Sequence, residues 1–527
     1  MTDQQKNKYI LAIDHGTSGI KAAIVSTHGQ VMDYEYEKTA ISFLPDGGAE
    51  QDPDDWWQAL LKACSRLVAN AAVNPKDIVA IAVSSTFSTT VAVDKHGKHL
   101  MNALTWMDSR GAPYVKKIVG GFPSIDGYGI FRIMKWIPKT GGGPTLSGKD
   151  DIAHVLLIKN EFADVYKNTH MFLPSKDYLN LKLTGNFAAS YDSMQLFWVS
   201  DIRDIHNISY DEKLISLLDL DPEKLPPMAA STDTLGTVRK DIAETIGISS
   251  DVKVVLCSPD HQTACIGSGA VDDFAGHLYI GTSSWIQAVI PFKKTDVFHS
   301  IASFPTAIPG KYQSVNEQDM AGGCLSHLFD NILFYDNELK SDQIPDPYAH
   351  IDDIAGRVTA GSHNLIFLPW LNGERTPVDD TNLRAGFFNM SKTTTQDHMI
   401  RAVMEGVAYN TRWSLKYVER FIKQELTPIN FIGGGAQSDV WCQIFADVLN
   451  RDIRQVENPR QANARGAAFI ASVGLGYITF DDIPHLTKIQ KTFYPNPDNR
   501  KTYDELYNIF IRLYRKNKSL YRRLNTV

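Results

Sequence analysis

Tyr9-Ile-Leu-Ala-Ile-Asp14-His15-Gly16-Thr17-Ser18-Gly19-Ile20-Lys21-Ala-Ala-Ile-Val25 is the stretch from which the fold can be read. A short apolar run ends in an acid. Five turn-forming residues follow, then a second apolar run and a second turn at His28-Gly29. The pattern predicts strand, turn, strand, turn, strand. In a tight hairpin of small residues, backbone N–H groups converge on an anion and Ser and Thr hydroxyls add donors. Asp14 at the strand end suits Mg²⁺, directly or through water. Lys21 suits the charge of a transferring phosphoryl group. An ordinary hairpin with a solvent-exposed lysine fits the same residues.

Outward from this hairpin, Asp52 is a good N-cap, Pro53 suits the first helical position, and Asp54 and Asp55 favour the positive end of the helix dipole. Trp57, Leu60, Leu61, Cys64, Leu67 and Val68 then recur at helical spacing. A buried strand is predicted at Ile78 to Val83 and a half-buried one at Thr90 to Asp94. Such alternation predicts an α/β core with a largely buried sheet. Gly120 to Asp150, rich in glycine and proline, reads as an irregular excursion over the first domain.

The second half repeats the opening. Gly16-Thr17-Ser18 recurs as Gly281-Thr282-Ser283, and Ala23-Ile24-Val25 recurs as Ala288-Val289-Ile290 at the same offset. Self-similarity at half the chain length predicts two related domains meeting near Gly269 to Asp273. Beyond lie a long helix from His398 to Ile422, a strand from Ile429 to Ile432, and helices near Asp439 to Leu449 and Ala464 to Val473. A basic, aromatic tail from Asn499 to Val527 reads as a surface helix.

At 527 residues the chain exceeds what one core usually holds, and 43% hydrophobic with 21% charged residues is ordinary globular composition. A net charge of −7 gives no support to nucleic-acid binding. The five cysteines (Cys64, Cys257, Cys265, Cys324, Cys442) are odd in number and lack C-x-x-C spacing, which argues against a disulfide framework or zinc site. Met1 to Lys8 has no apolar signal core, and no run approaches the ~18 apolar residues of a membrane span. A cytoplasmic location follows as the expectation.

Three further segments suit chemistry. Gly281-Thr282-Ser283-Ser284 repeats the first turn, and two such hairpins across a cleft can clamp one phosphate chain. Gly433-Gly434-Gly435-Ala436, between a strand and a helix, lets a base or phosphate approach the backbone. Asp260, after the buried strand Val254 to Cys257, fits either a general base for an attacking hydroxyl or the N-cap of the next helix. Gly143-Pro-Thr-Leu-Ser-Gly148-Lys149 has the spacing of a nucleotide P-loop. However, Asp150 stands where Ser or Thr should hold Mg²⁺, and no clean strand precedes it.

Taken in order, these segments resemble the FGGY family of carbohydrate kinases, over about Tyr9 to Gly476. The likeness is carried by Asp14-His15-Gly16-Thr17-Ser18, Glu50-Gln51-Asp52-Pro53 and Trp106-Met107-Asp108-Ser109-Arg110. It continues through Lys176-Asp177-Tyr178-Leu179, Leu183-Thr184-Gly185, Gly373-Glu374-Arg375-Thr376-Pro377, Arg401-Ala402-Val403-Met404-Glu405-Gly406-Val407 and Gly433-Gly434-Gly435-Ala436-Gln437-Ser438. The resemblance implies an α/β fold of two actin-like (ribonuclease-H-like) domains around a central cleft. Residues 1–270 would form the sugar-binding domain, 271–490 the nucleotide-binding domain and 491–527 a helical tail.

It further implies ATP and Mg²⁺ as cofactors and a small sugar or polyol as substrate. Asp260 would be the catalytic base and Asp14 the metal-associated acid. Thr17, Ser18, Lys21, Gly281 and Thr282 would hold phosphate, with Gly434, Gly435 and Ala436 on the adenine side. Trp106 and Asp108 match substrate-side positions, though Trp106 also fits a core role. Xylulokinase-like members carry a Met-His pair, and glycerol kinases an Arg-Glu pair, where this chain has Phe87-Ser88. The motifs therefore sit nearest the xylulokinase branch with an altered sugar pocket. A pentulose such as xylulose is the expected acceptor, with ribulose, erythritol, sedoheptulose or glycerol as alternatives. A non-catalytic actin-like ATP switch is the rival of another class. Related kinases include homodimers, but no interface signal stands in this sequence.

Overall fold

The structure, a computed structural model, describes residues 8–333 and 347–525. The opening hairpin forms as its sequence dictates. Tyr9–Gly16 and Gly19–Ser26 pair antiparallel, with Asp14 opposite Lys21 and Gly16 opposite Gly19. Val31–Lys38 adds the third, edge strand, whose residues alternate between half-buried and exposed. Ile78–Ser85 lies parallel on the other side of Tyr9–Gly16, followed by Lys253–Val255 and Thr234–Thr237, completing a six-stranded sheet. The connecting helix Pro53–Asn70 starts where predicted, its first turn capped by the Asp52 carboxylate accepting from Asp54 N–H at 2.9 Å.

The second half repeats this order. Gly276–Ile280 pairs antiparallel with Ser284–Ile290 and parallel with Ile429–Ile432, inside an eight-stranded sheet that ends in Ile489–Phe493. The helix Gln396–Ile422 delivers the parallel strand, and the helix Asp439–Leu449 follows it. Among the described residues no strand is shared between the two large sheets.

Two expectations are corrected. The stretch 120–150 is no bare loop: it holds a two-residue hairpin and the short helices Ile130–Ile133 and Ile137–Thr140, and buries Trp136 in a shared core. Helices of four residues are too short to show a period. The tail does not begin at 491, because that boundary falls inside the strand Ile489–Phe493. As expected, the tail forms a helix packed on the body: Arg500–Asn525 buries Tyr503, Leu506, Phe510, Leu513 and Tyr514 against Trp370 and Trp413.

The halves also interlock. The helix Ala462–Gly474 follows a strand of the second sheet yet covers one face of the first, packing Ala464, Ala467, Ala468, Phe469 and Ile470 with Ile10, Ala12, Val25 and Ala80. It crosses the helix Asp260–Gly267 at backbone contact. A Cβ on Gly267 would stand 1.8 Å from the Ala462 carbonyl oxygen, and one on Gly466 1.9 Å from that of Thr263.

Candidate active site

The two hairpin turns face each other. Lys21 and Asp14 of the first half both act electrostatically on Tyr279, which ends the first strand of the second half. Lys21 reaches back to its cross-strand partner with Nζ 3.1 Å from Asp14 Oδ2, and this carboxylate holds the ammonium above its usual range. The turn is fixed from outside. Thr17 O accepts from Gln51 Nε2 (3.0 Å), and Ser18 O accepts from the Tyr36 hydroxyl (2.7 Å) and Thr39 N–H (3.1 Å). Ser18, Lys21 and Thr282 stay exposed. Gly281 is needed for close packing, since a Cβ there would meet the Tyr279 ring at 2.6 Å.

Asp260 is the first residue of the helix Asp260–Gly267 and does not cap it. Pro259 occupies the cap position, and the Asp260 carboxylate accepts only from the adjacent His261 N–H (2.9 Å) among the described residues. Burial, with the charges of Asp14 and Glu317 added, holds this carboxyl well above the ordinary range; Lys21 pulls the other way. The segment before it is anchored by a fully buried ion pair. Lys176 Nζ donates to Asp177 Oδ1 (2.6 Å) and to the Leu256 carbonyl (3.1 Å), which also accepts from Asn180 Nδ2 (3.0 Å). Cys257, next in the chain, turns into left-handed backbone at φ 60°.

The residue after Asp260 is clamped by the second half. The His261 ring stacks on Trp285 (centroids 4.1 Å, 19°), and Trp285 stacks on Tyr279 (4.0 Å, 7°). Gln287 Nε2 lies 2.7 Å from His261 Nδ1, while Gln313 Nε2 donates to the His261 carbonyl at 3.0 Å. Phe87 meets the same imidazole edge-on at 5.6 Å, so it is in contact with the helix carrying Asp260. Ser88, left-handed at φ 58°, donates from Oγ to the Lys149 carbonyl at 2.6 Å.

Trp106 is tied to the first hairpin turn. Its indole N–H donates to Thr17 Oγ1 at 2.9 Å, and the Arg375 guanidinium lies 5.4 Å over its ring. Arg375 pairs with Glu317 and, at 2.8 Å, with Asp319. Glu374 beside it receives the N–H groups of Asp319 and Arg375, and burial pushes its carboxyl up to about 8. Sequence reasoning gave no site role to Glu317, Asp319 or Arg375. Arg375 lay in a quoted motif, while the two acids flank Gln318 with no distinguishing pattern.

Asp108 and the glycine loop sit in close packing. Asp108 is fully buried with its carboxylate occupied: Arg110 donates from Nε and NH2, Ala49 N–H donates at 3.0 Å, and Arg110 bridges on to Glu50. In the glycine loop only Gly434 borders open space. A Cβ on Gly435 would be 2.6 Å from Ile280 Cγ2, and Ala436 is buried with its carbonyl accepting from Gln455 Nε2 at 2.7 Å. A 580 Å³ cavity elsewhere, lined by Thr232, Pro309, Tyr477 and Phe480 among others, contains none of these residues. Convergent charge, and not cavity size, locates the site.

Residues 9–267 match the FGGY family of carbohydrate kinases, N-terminal domain, and residues 277–475 match the C-terminal domain of the same family. The chain is 28% identical to a xylulose kinase of Staphylococcus epidermidis over 98% of this chain and 99% of that one. The gluconate kinase of Lactobacillus acidophilus superposes with a TM-score of 0.84 at 25% identity, covering 98% of this chain and 100% of that one. The ligand-bound xylulose kinase of the same organism gives 0.83 at 25% identity, with the same coverage.

Proposed function

Because the chain belongs to the FGGY family of carbohydrate kinases, ATP-using phosphotransferases that act on sugar hydroxyls, we propose that its acceptor is a pentulose of the xylulose kind and that Asp260 is the general base. The observation that carries this reading is the position of Asp260. Its carboxylate has no ion-pair partner among the described residues, yet feels Asp14 and Lys21 of the phosphate turn and Glu317 of the other half. Whole-length likeness to xylulose kinases supports the choice of sugar.

In this reading the Asp260 carboxylate takes the proton of a terminal sugar hydroxyl. The freed oxygen attacks the γ-phosphorus of ATP while the bond to the ADP oxygen breaks. Thr17, Ser18, Lys21 and Thr282 hold the spreading negative charge, so positioning and electrostatics carry the rate. Gly434 leaves room for the nucleotide. Asp14, whose charge reaches Asp260, supplies a hard oxygen donor of the kind Mg²⁺ prefers. Bound there, the ion would neutralise phosphate charge. The reaction belongs in the cytoplasm, where ATP is abundant, and no helix among the described residues is long and apolar enough to cross a membrane.

The test is sugar-dependent ADP release across D-xylulose, the ribuloses, L-xylulose, erythritol, ribitol, sedoheptulose and glycerol. Asp260→Asn should lower turnover about 100- to 10,000-fold while keeping the fold. Near-normal turnover in that variant overturns the base assignment. ATP hydrolysis indifferent to every acceptor would favour the nucleotide switch.

A further inference from the structure

Among the described residues, a single hydrogen bond holds the Asp260 carboxylate, and its donor is the His261 N–H. Where that N–H points depends on how His261 sits. The second half fixes this from two neighbouring strands: Trp285 and Gln287 stand on Ser284–Ile290, and Gln313 stands on Tyr312–Val315.

Two main-chain carbonyls orient the glutamine amides. Gln313 Nε2 donates to the His261 carbonyl (3.0 Å) and to Gln287 Oε1 (2.5 Å). Gln287 Nε2 donates to the Asn316 carbonyl (2.8 Å), which leaves its second hydrogen for His261 Nδ1 at 2.7 Å. The imidazole therefore accepts at Nδ1 and carries its proton on Nε2. Burial holds the ring below the usual histidine range, which keeps the Nδ1 lone pair available.

Both glutamines are fully buried. Apolar side chains would press on the ring without the cost of burying two amides, but they would not fix how it is turned. A closed polar network does. The stack carries this orientation onward. Trp285 lies between the His261 ring and the Tyr279 ring. Tyr279 and Trp285 are cross-strand partners on either side of the turn Gly281-Thr282-Ser283.

We propose that His261 is a positioning residue: the clamp of Gln287, Gln313 and Trp285 on it aims the Asp260 carboxylate at the acceptor hydroxyl and keeps it in register with the second phosphate turn. This rests on Asp260 being the general base. His261 touches no reacting atom; it acts through the placement of its own N–H. In-line transfer needs the base, the hydroxyl oxygen and the γ-phosphorus held together, and a misplacement of about 1 Å can cost about 100-fold in rate.

The experiment measures sugar-dependent ADP release by the full chain in wild type, His261→Phe, Gln287→Met, the double variant and His261→Asn. Phenylalanine keeps a ring against Trp285 but offers Gln287 no acceptor. Each of the first two variants should lower kcat about 10- to 100-fold, with KM for sugar and for ATP unchanged. The double variant should be no slower than the slower single one, because both remove the same contact. His261→Asn places a carbonyl oxygen where Nδ1 stood and should be faster than His261→Phe. Rates are compared well below each variant's melting temperature, and should one variant not fold, the others decide. A normal kcat in folded His261→Phe or Gln287→Met, a loss confined to KM, or losses that multiply in the double variant overturns the proposal. Failure of the base assignment looks different: Asp260→Asn then turns over near-normally, and the proposal falls with it. If Asp260→Asn is slow while His261→Phe is not, the proposal alone falls.

Discussion

Lys176, fully buried and paired with the equally buried Asp177, holds the Leu256 carbonyl four residues ahead of Asp260. Asp177 Oδ2 also accepts from Ser193 Oγ at 2.6 Å, so each charge has partners. Removing one partner of such a pair strands the other charge in the core. Lys176→Met should therefore lose about 3–5 kcal/mol in urea or thermal unfolding. Unfolding like wild type would mean that the pair does not anchor this segment. Asp260 obeys the opposite logic. Its carboxyl is raised in the folded protein, so the folded state binds more protons than the unfolded one, and the group lowers stability as pH rises between its ordinary and its folded value. Asp260→Asn should thus melt no lower than wild type above that window. Turnover of wild type should fall on acidification at a pH higher than an unperturbed aspartate would give. A variant that melts lower at neutral pH, or a rate flat to the ordinary carboxylate range, contradicts this account. Of the residues proposed for the site, those in contiguous motifs (Thr17, Ser18, Lys21, Thr282, Asp260) could be picked out from the sequence alone. The engagement of Asp108 was not, because Ala49 and Glu50 reach its neighbourhood only through folding.

Among elements, the long and regular ones were readable. The strand Ile429–Ile432 and the helix Asp439–Leu449 have the bounds their apolar spacing predicts. The short helices between 120 and 150 carry too few residues for a period. The helix Ala462–Gly474 was visible as a helix, but its destination was not. Its two glycine contacts with the helix Asp260–Gly267 have no signature beyond small residues. They make a sharp test: Gly466→Ala forces a methyl against the Thr263 carbonyl, for a cost of about 1–3 kcal/mol. Because Thr263 is on the helix that begins with Asp260, turnover should fall along with the melting temperature. Gly386→Ala, where nothing lies within 4 Å of the added Cβ, is the control and should leave both near wild type. Equal behaviour of the two variants would remove the crossing from the account.

At the scale of the molecule, the repeated hairpin announced two related halves, and both sheets carry it at their centre. What no local pattern announced is the charge cluster between them. Glu317, Asp319 and Arg375 come from two distant segments of the second half and pair with one another there, and Lys149 of the first half lies within their electrostatic reach. The interlocking helix has a consequence for how the chain is made. The last strand of the first sheet, Lys253–Val255, leaves the ribosome some two hundred residues before the helix that covers the sheet's Ile10, Ala12, Val25 and Ala80 face. At roughly 5–20 residues per second, that face waits about 10–40 s for its cover. The nascent first half is thus a finished sheet with a bare apolar side. Its passage through synthesis depends on whatever shields that side until residue 474 emerges.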